Sequence, residues 1–301
     1  MEQRYAAGIV LYNPDIDRLK LNIESVIGQV GIVYLFDNGS INQDEINALN
    51  SKYNNTKIIR SSKNLGIATA LNRLVEVADK DGFTWILTLD QDSVSVSGMI
   101  SSFARYISKK NAGIICPVFH DIRRKNEAPV MIEDRVKEIN FCITSGSLMN
   151  IKICKKIGGF DDWLFIGFVD NEYCKRLILK GYKIIQDCSV ILDHELGNLS
   201  PSKYENVYLK VGKIFHSDSI KKMSYKRDVN PMRLYYATRN MVYLNKKYKN
   251  YLTNDISWKF IIYNSVSSIF RGNKKIKLLS VIIKGIRDGL HAKPEVYILY
   301  K

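Results

Sequence analysis

Trp85-Ile86-Leu87-Thr88-Leu89-Asp90-Gln91-Asp92-Ser93 is an apolar, strand-prone run that closes on two carboxylates spaced by one residue. A run of this kind suits a strand buried on both faces, and the polar residues mark where it emerges. In extended backbone residues i and i+2 project to the same side, so Asp90 and Asp92 both face one ligand at the strand's carboxyl edge. Their oxygens suit a hard divalent cation, and a metal–diphosphate complex is the natural guest. A solvated turn whose carboxylates cap the next helix has the same local sequence, so the neighbouring segments have to decide.

Working back from this strand, short apolar strand-like runs alternate with segments of helical spacing. Tyr5-Ala6-Ala7-Gly8-Ile9-Val10-Leu11 reads as a strand, Asn13-Pro14-Asp15 as a turn and helix start, and residues 19–26 as a helix. Ile32-Val33-Tyr34-Leu35-Phe36 is a second strand, ending at Asp37-Asn38-Gly39-Ser40. A helix over 44–53, a strand over 57–60, a helix over 68–81 and the strand over 85–89 complete a βαβαβαβ series. The series predicts an α/β fold, a Rossmann-like and mostly parallel sheet with helices on both faces. No internal repeat or low-complexity segment is present.

In such sheets ligands bind outside the carboxyl ends of the strands. Three polar motifs fall there, Tyr12-Asn13, Asp37-Asn38 and Asp90-Gln91-Asp92, and they are expected to converge. A fourth, Asn64-Leu65-Gly66, follows the third strand and opens a helix, so Asn64 and its backbone amides are placed to meet a nucleotide or sugar. Taken singly, Asp37-Asn38-Gly39 is an ordinary turn and Asn64-Leu65-Gly66 an ordinary entry to a helix. Four such motifs at corresponding strand ends carry more weight.

In order and spacing, Val10-Leu11-Tyr12-Asn13, Leu35-Phe36-Asp37-Asn38-Gly39-Ser40, Asn64-Leu65-Gly66 and Leu89-Asp90-Gln91-Asp92 resemble the nucleotide-binding half of the family 2 inverting glycosyltransferases with the GT-A fold. The Asp-Gln-Asp-Ser form and the later Arg233-Leu234-Tyr235-Tyr236-Ala237-Thr238-Arg239-Asn240 are similar to the bacterial rhamnosyltransferase branch, which builds surface polysaccharides. The resemblance implies that Tyr12, Asn13, Asn38, Asn64 and Gly66 line the donor nucleotide site, that Asp37 recognises the base, and that Asp90 contacts the ribose or sugar. It implies that Asp92 ligates the divalent metal, Mg²⁺ or Mn²⁺, on the diphosphate.

The second half supplies what a transferase still needs. Cys142-Ile143-Thr144-Ser145-Gly146-Ser147 is similar to the family's segment beneath donor sugar and acceptor, with Ser145 and Gly146 permitting close approach. Asp170, in Phe168-Val169-Asp170-Asn171-Glu172, sits where apolar residues give way to a helical pattern and reads locally as an N-cap. The resemblance makes it the general base that takes the acceptor hydroxyl's proton, with Glu172 orienting the acceptor or supporting the base. Apolar Phe168 and Val169 beside it predict a raised pKa. His194 ends the strand-like run Val190-Ile191-Leu192-Asp193-His194, a place where a lone histidine is most often structural. The resemblance implies that it completes the metal site with Asp92. His120, His216 and His291 match no motif.

Composition bounds the rest. The 301 residues, 46% hydrophobic and 25% charged, suffice for one large core plus an appendage. Five cysteines, odd in number and without a Cys-x-x-Cys pair, argue against a disulfide framework or zinc ribbon and for reduced core thiols. The N-terminus shows no basic and apolar leader, which points to the cytoplasm. Of 45 Lys+Arg and 30 Asp+Glu, residues 203–301 hold 21 and 6, so the whole excess of +15 lies in the last third. Hence the expected organisation is a catalytic domain over 1–200, with a donor half over 1–95 and an acceptor half over 96–200, and a basic helical region over 201–301. Basic residues alternate there with apolar ones in runs too short to span a bilayer, which suits peripheral attachment to the anionic inner face of the cytoplasmic membrane; a helical cap with a solvated lysine face fits the same pattern. No nucleic-acid-binding motif accompanies the charge.

The expected activity is metal-dependent inverting transfer of a sugar, rhamnose from dTDP-rhamnose by the branch resemblance, to a hydroxyl of a lipid-linked glycan acceptor in O-antigen or capsule synthesis. UDP-galactofuranose or UDP-glucose as donor would fit the same motifs. The readings from other classes are a non-catalytic nucleotide-sugar-binding protein and a polyanion- or membrane-binding protein driven by the basic tail.

Overall fold

The computed structural model describes residues 5–121, 135–194, 199–201, 204–214, 217, 221, 224–227, 229–249 and 256–294. The chain forms two compact units, one of Met1–Phe165 with Val169–Glu195 and one of Ile166–Phe168 with Leu196–Lys301.

The first unit alternates as its hydrophobic pattern predicts. β1 (Tyr5–Leu11), α1 (Ile16–Val26), β2 (Ile32–Asp37), α2 (Gln43–Asn50), β3 (Thr56–Arg60), α3 (Ile67–Lys80) and β4 (Trp85–Asp90) run in sequence. α4 (Met99–Ala104), β5 (Ala112–Asp121), β6 (Val136–Ile139), β7 (Ser147–Asn150), α5 (Ile151–Lys156), α6 (Val169–Leu179) and β8 (Lys183–His194) follow. Asp15 caps α1 by accepting from the Arg18 N–H at 3.0 Å, so the Asn-Pro-Asp turn starts the helix as read. α2 stops three residues short of the predicted end, because the Tyr53 N–H turns back to the Asn50 carbonyl and the ring packs against the core.

The strands join in one sheet of order β3-β2-β1-β4-β7-β5-β8-β6, with β7 and β6 antiparallel to their neighbours. β1 is buried along its whole length because both faces of the sheet are covered. Its odd-numbered residues Ala7, Ile9 and Leu11 join Leu19 and Ile23 of α1, Ile46 of α2 and Phe103 of α4 in one core. The other face meets α3, whose Leu71, Leu74, Val75 and Ala78 are buried at helical spacing. Chain order runs outward from β1 to β2 and β3 on one side and to β4 on the other, so the topological switch point lies between β1 and β4. Register brings Leu11 level with Asp37 and Val10 level with Asp90, so the polar strand ends share one edge of the sheet. All five cysteines are free and buried.

Gly66 is required by packing as well as by conformation. Its φ is 87°, and a Cβ there would lie 2.6 Å from the carbonyl oxygen of Phe165, which also accepts the Ile67 N–H at 2.7 Å. Gly66→Ala is expected to cost about 2–4 kcal/mol of stability, from backbone strain together with overpacking. Thermal denaturation checks this, and an unchanged Tm would show that the loop yields without cost.

The second unit contains the antiparallel pair β9 (Leu199–Pro201) and β10 (Tyr225–Arg227), and α7 (Glu205–Ile214), α8 (Pro231–Lys247), α9 (Trp258–Arg271) and α10 (Lys275–His291). Asn230 caps α8, with Pro231 in its first turn. Leu278 and Ile282 of α10 pack on Leu234 of α8, and Ile261 of α9 packs on Met241 and Val242. Among the described residues no helix is long and apolar enough to cross a membrane.

Candidate active site

The edge where β1, β2 and β4 end gathers the predicted donor residues. The Tyr12 N–H donates to Gln91 Oε1 at 2.9 Å, which ties the two sides of the switch point together, while the Tyr12 side chain is about half exposed. Asn13 takes a left-handed φ of 49°, receives the Ile41 N–H on Oδ1 at 2.8 Å and donates its own N–H to Ser40 Oγ at 2.9 Å. This loop is thus held by its own polar groups.

Asp37 is fully buried. Its Oδ1 accepts the Ser40 N–H at 2.9 Å, whereas Oδ2 accepts no hydrogen bond among the described residues and lies 3.6 Å from Arg60 Nε. A buried carboxylate oxygen without a donor is costly unless a ligand supplies one. Asn38 differs. Its Oδ1 accepts the Leu65 N–H at 2.8 Å, and its Nδ2 donates to Asn64 Oδ1 at 3.1 Å and to the Gly66 carbonyl at 3.3 Å. Asn64 Oδ1 also receives the Gly66 N–H at 2.9 Å. Asn38 and Asn64 therefore brace the loop into α3, and their side-chain oxygens are committed to the protein.

Asp90 and Asp92 are exposed. The Asp90 backbone is fixed from two directions: its N–H donates to Ser145 Oγ at 3.0 Å, and its carbonyl accepts Asn22 Nδ2 at 2.7 Å. Ser145 is buried and shares a 2.6 Å hydrogen bond with Ser93, so the segment before β7 is tied to the Asp-Gln-Asp turn. Gly146 is needed there. Its φ is 77°, its N–H donates to the Thr88 carbonyl at 2.7 Å, and a Cβ would lie 2.4 Å from a methyl of Leu192.

Asp170 is the second residue of α6, not its N-cap, which leaves its carboxylate available for chemistry. It accepts hydrogen bonds from the Thr144 hydroxyl and N–H. Burial, reinforced by the negative charge of Asp90, pushes its pKa up to about 7 against the weaker opposing effect of those bonds. Apolar Ile114, Cys142, Tyr173 and Cys174 line the crevice behind it. A carboxyl group that titrates near neutrality is suited to accept a proton there.

Glu172 does not face solvent. It is 1% exposed and pairs in a fork with Arg176, Nε to Oε1 at 2.8 Å and Nη2 to Oε2 at 2.7 Å. Arg176 also donates to the carbonyls of Ile157 and Gly159. Glu172 therefore anchors α6, the helix that carries Asp170, through Arg176 to the Ile157–Gly159 turn and is turned away from solvent.

Asp92 is exposed at the same edge, and hard carboxylate oxygens in that setting fit a Mg²⁺ or Mn²⁺ ion. No group of three or more potential metal ligands occurs among the described residues. The His194 side chain, its expected partner, lies outside them, as does His216. His120 is in β5 and His291 ends α10, where its Nδ1 is 2.8 Å from the Arg287 carbonyl.

Several residues of the site carry no motif. Gln91, Ser93 and Thr144 have partners up to 79 residues away in the chain, so no local pattern gives their tasks. Asn22 did leave a signal. It occupies a buried position in the Leu19-Asn22-Ile23-Val26 stripe of α1, where a polar side chain needs a hydrogen-bonding task.

The family model described as Glycosyl transferase family 2 matches residues 7–160, about half of the chain. A dTDP-rhamnosyl transferase, RfbF of Shigella flexneri, is 24% identical over 311 aligned positions that cover 96% of each chain. A mannosyltransferase, PcManGT from Pyrobaculum calidifontis, solved with GDP-Man and Mn²⁺, has the same fold at TM-score 0.53 and 12% identity, covering 96% of this chain and 81% of that one. GalNAc-T7, solved with UDP, GalNAc and Mn²⁺, is similar at TM-score 0.60 and 12% identity over 97% of this chain, which spans only 55% of that protein. With the parallel strands β1 to β4, the Asp-x-Asp turn at the switch point and the matched residues 7–160, the chain belongs to glycosyl transferase family 2 and is a glycosyltransferase of the GT-A fold.

Proposed function

We propose that this enzyme transfers rhamnose from dTDP-rhamnose to a hydroxyl of a lipid-linked glycan, with inversion, at an anionic membrane surface during bacterial surface-polysaccharide synthesis. The observation that carries the chemistry is the half-buried Asp170 carboxylate, its pKa raised to about 7, held by Thr144 and within electrostatic range of Asp90. The rhamnosyl donor rests on the RfbF relative and on the Asp-Gln-Asp-Ser and Tyr-Tyr-Ala-Thr-Arg-Asn motifs.

In this reading Asp37 offers Oδ2 to a ring N–H of the base, and Asp90 receives the ribose or sugar hydroxyls. Asp92 and His194 would hold the divalent cation, which when bound neutralises charge on the diphosphate. That two structural neighbours were solved with Mn²⁺ supports a divalent-cation requirement. Asp170 takes the proton of the acceptor hydroxyl as that oxygen bonds to the anomeric carbon, and the bond from that carbon to the diphosphate oxygen breaks on the opposite face. Ser145 and Asn22 hold the Asp90 backbone, so this carboxylate needs little reorganisation on reaction.

Calorimetric titration with thymidine, uridine and guanosine diphosphates, with and without Mn²⁺ or Mg²⁺, tests the donor site. Thymidine diphosphate is expected to bind in a metal-dependent way, and Asp92→Ala to weaken it by about tenfold or more and to lower turnover with it. Binding of none of the three under any metal condition would overturn the donor assignment.

A further inference from the structure

The second unit carries apolar surface that its own packing does not use. α9 buries Ile261 and Ser265. Its opposite side presents Ile262, Tyr263, Val266 and Phe270, which are 59%, 57%, 44% and 73% exposed and fall at i, i+1, i+4 and i+8. α10 buries Leu278, Ile282, Gly285 and Gly289, a stripe of period 3–4. A second stripe on it, Ile276, Leu279, Ile283 and Leu290 at i, i+3, i+7 and i+14, faces solvent. The helices are neighbours: Ile269 of α9 packs with Leu278 and Ile282 of α10, and Ile286 of α10 packs with Ile261 of α9. Exposed single apolar residues are ordinary, whereas two adjoining helices each apolar on a second side require a partner.

The charge around these stripes selects the partner. Residues 256–294 contain eight Lys+Arg and one acidic residue, Asp288. That carboxylate is bonded to the Tyr235 hydroxyl at 2.7 Å and paired with Arg287. Lys259 lies within the α9 stripe; Lys275, Lys277, Lys284 and Arg287 lie on α10, and Arg271 and Lys274 stand at the join. A second copy of the chain would bring two such basic sets together, which opposes self-association through this face. A soluble polyanion has no use for the aliphatic side chains. No described helix can span a bilayer, so an interfacial position is the one that satisfies both features.

We propose that α9 and α10 form a lipid-docking surface, their outward apolar stripes entering the acyl boundary of an anionic bilayer while the flanking lysines and arginines meet lipid phosphates. This deepens the membrane reading proposed above and names the side chains responsible; it does not depend on the identity of the donor.

The test is co-sedimentation of the full-length protein with vesicles of phosphatidylcholine alone and of phosphatidylcholine with phosphatidylglycerol. The protein is expected to partition onto the anionic vesicles at least about tenfold more strongly, with affinity falling as salt rises, since each basic residue near such a surface contributes roughly fivefold. The exposed-face variant Ile262→Ser/Phe270→Ser/Ile283→Ser should lose about tenfold or more at unchanged Tm. Lys275→Glu/Lys277→Glu should lose binding and flatten the salt dependence. Equal partition onto both vesicle types, no partition onto either, or a dimer in sedimentation velocity that Phe270→Ser/Ile283→Ser dissociates would each overturn the proposal. Nucleotide calorimetry on the same samples separates the two readings, because retained nucleotide binding without vesicle binding sinks only the docking surface.

Discussion

Asp170→Asn is expected to reduce glycosyl transfer by about 10²–10⁴-fold while leaving nucleoside diphosphate affinity within about twofold. Asparagine keeps the shape of the side chain and an oxygen for the Thr144 donors, yet cannot accept a proton at neutral pH. In the parent enzyme kcat/KM should rise with pH, about tenfold per unit below the Asp170 pKa near 7, and level off above it. Stability moves in the opposite sense. Between the ordinary carboxyl range and about 7 the folded state holds a proton that the unfolded state has released, so stability falls as pH climbs through that window. Asp170→Asn removes this penalty, and the variant should melt at a higher temperature than the parent at pH 8 and at the same temperature at pH 3 to 4. Activity and melting temperature across pH are the measurements, and near-normal transfer by the variant would refute the assignment of the base.

Arg176→Ala is expected to destabilise the fold by about 3–5 kcal/mol, a drop in Tm on the order of 10 °C. The guanidinium satisfies both oxygens of a buried carboxylate and the carbonyls of Ile157 and Gly159. Its removal takes both forked hydrogen bonds from the Glu172 carboxylate, which is 1% exposed. Arg176→Lys should rescue little, since one ammonium cannot reproduce a planar fork that reaches three groups. Glu172→Leu/Arg176→Met should recover part of the loss, because it removes the buried charge while still depriving two carbonyls of their donors. Thermal and chemical denaturation check the order. A loss under about 1 kcal/mol for Arg176→Ala would mean that the pair is hydrated and does not anchor α6.

The parallel half of the sheet was legible in the sequence because its determinants are local. Strand and helix periods differ, each strand ended in a polar motif, and parallel βαβ units have one dominant handedness, so Asp37 and Asp90 had to reach the same edge. The role proposed for Asp170 rests on resemblance to a family, since its local pattern reads equally well as a helix cap. The division of labour among the polar residues was decided by tertiary contacts. Asn38 and Asn64 look like ligands in the sequence, and the fold commits them to bracing a loop. Glu172 reads as a companion to the base, and α6 turns it inward because Arg176 follows one helical turn later. Thr144, Ser93 and Asn22 acquire their tasks from partners on other elements, and the pKa of Asp170 depends on burial and on Asp90, 80 residues away. Periodicity and turn chemistry belong to neighbours in the chain and can be read from it, whereas hydrogen-bond satisfaction and desolvation belong to neighbours in space and exist only once the chain has folded.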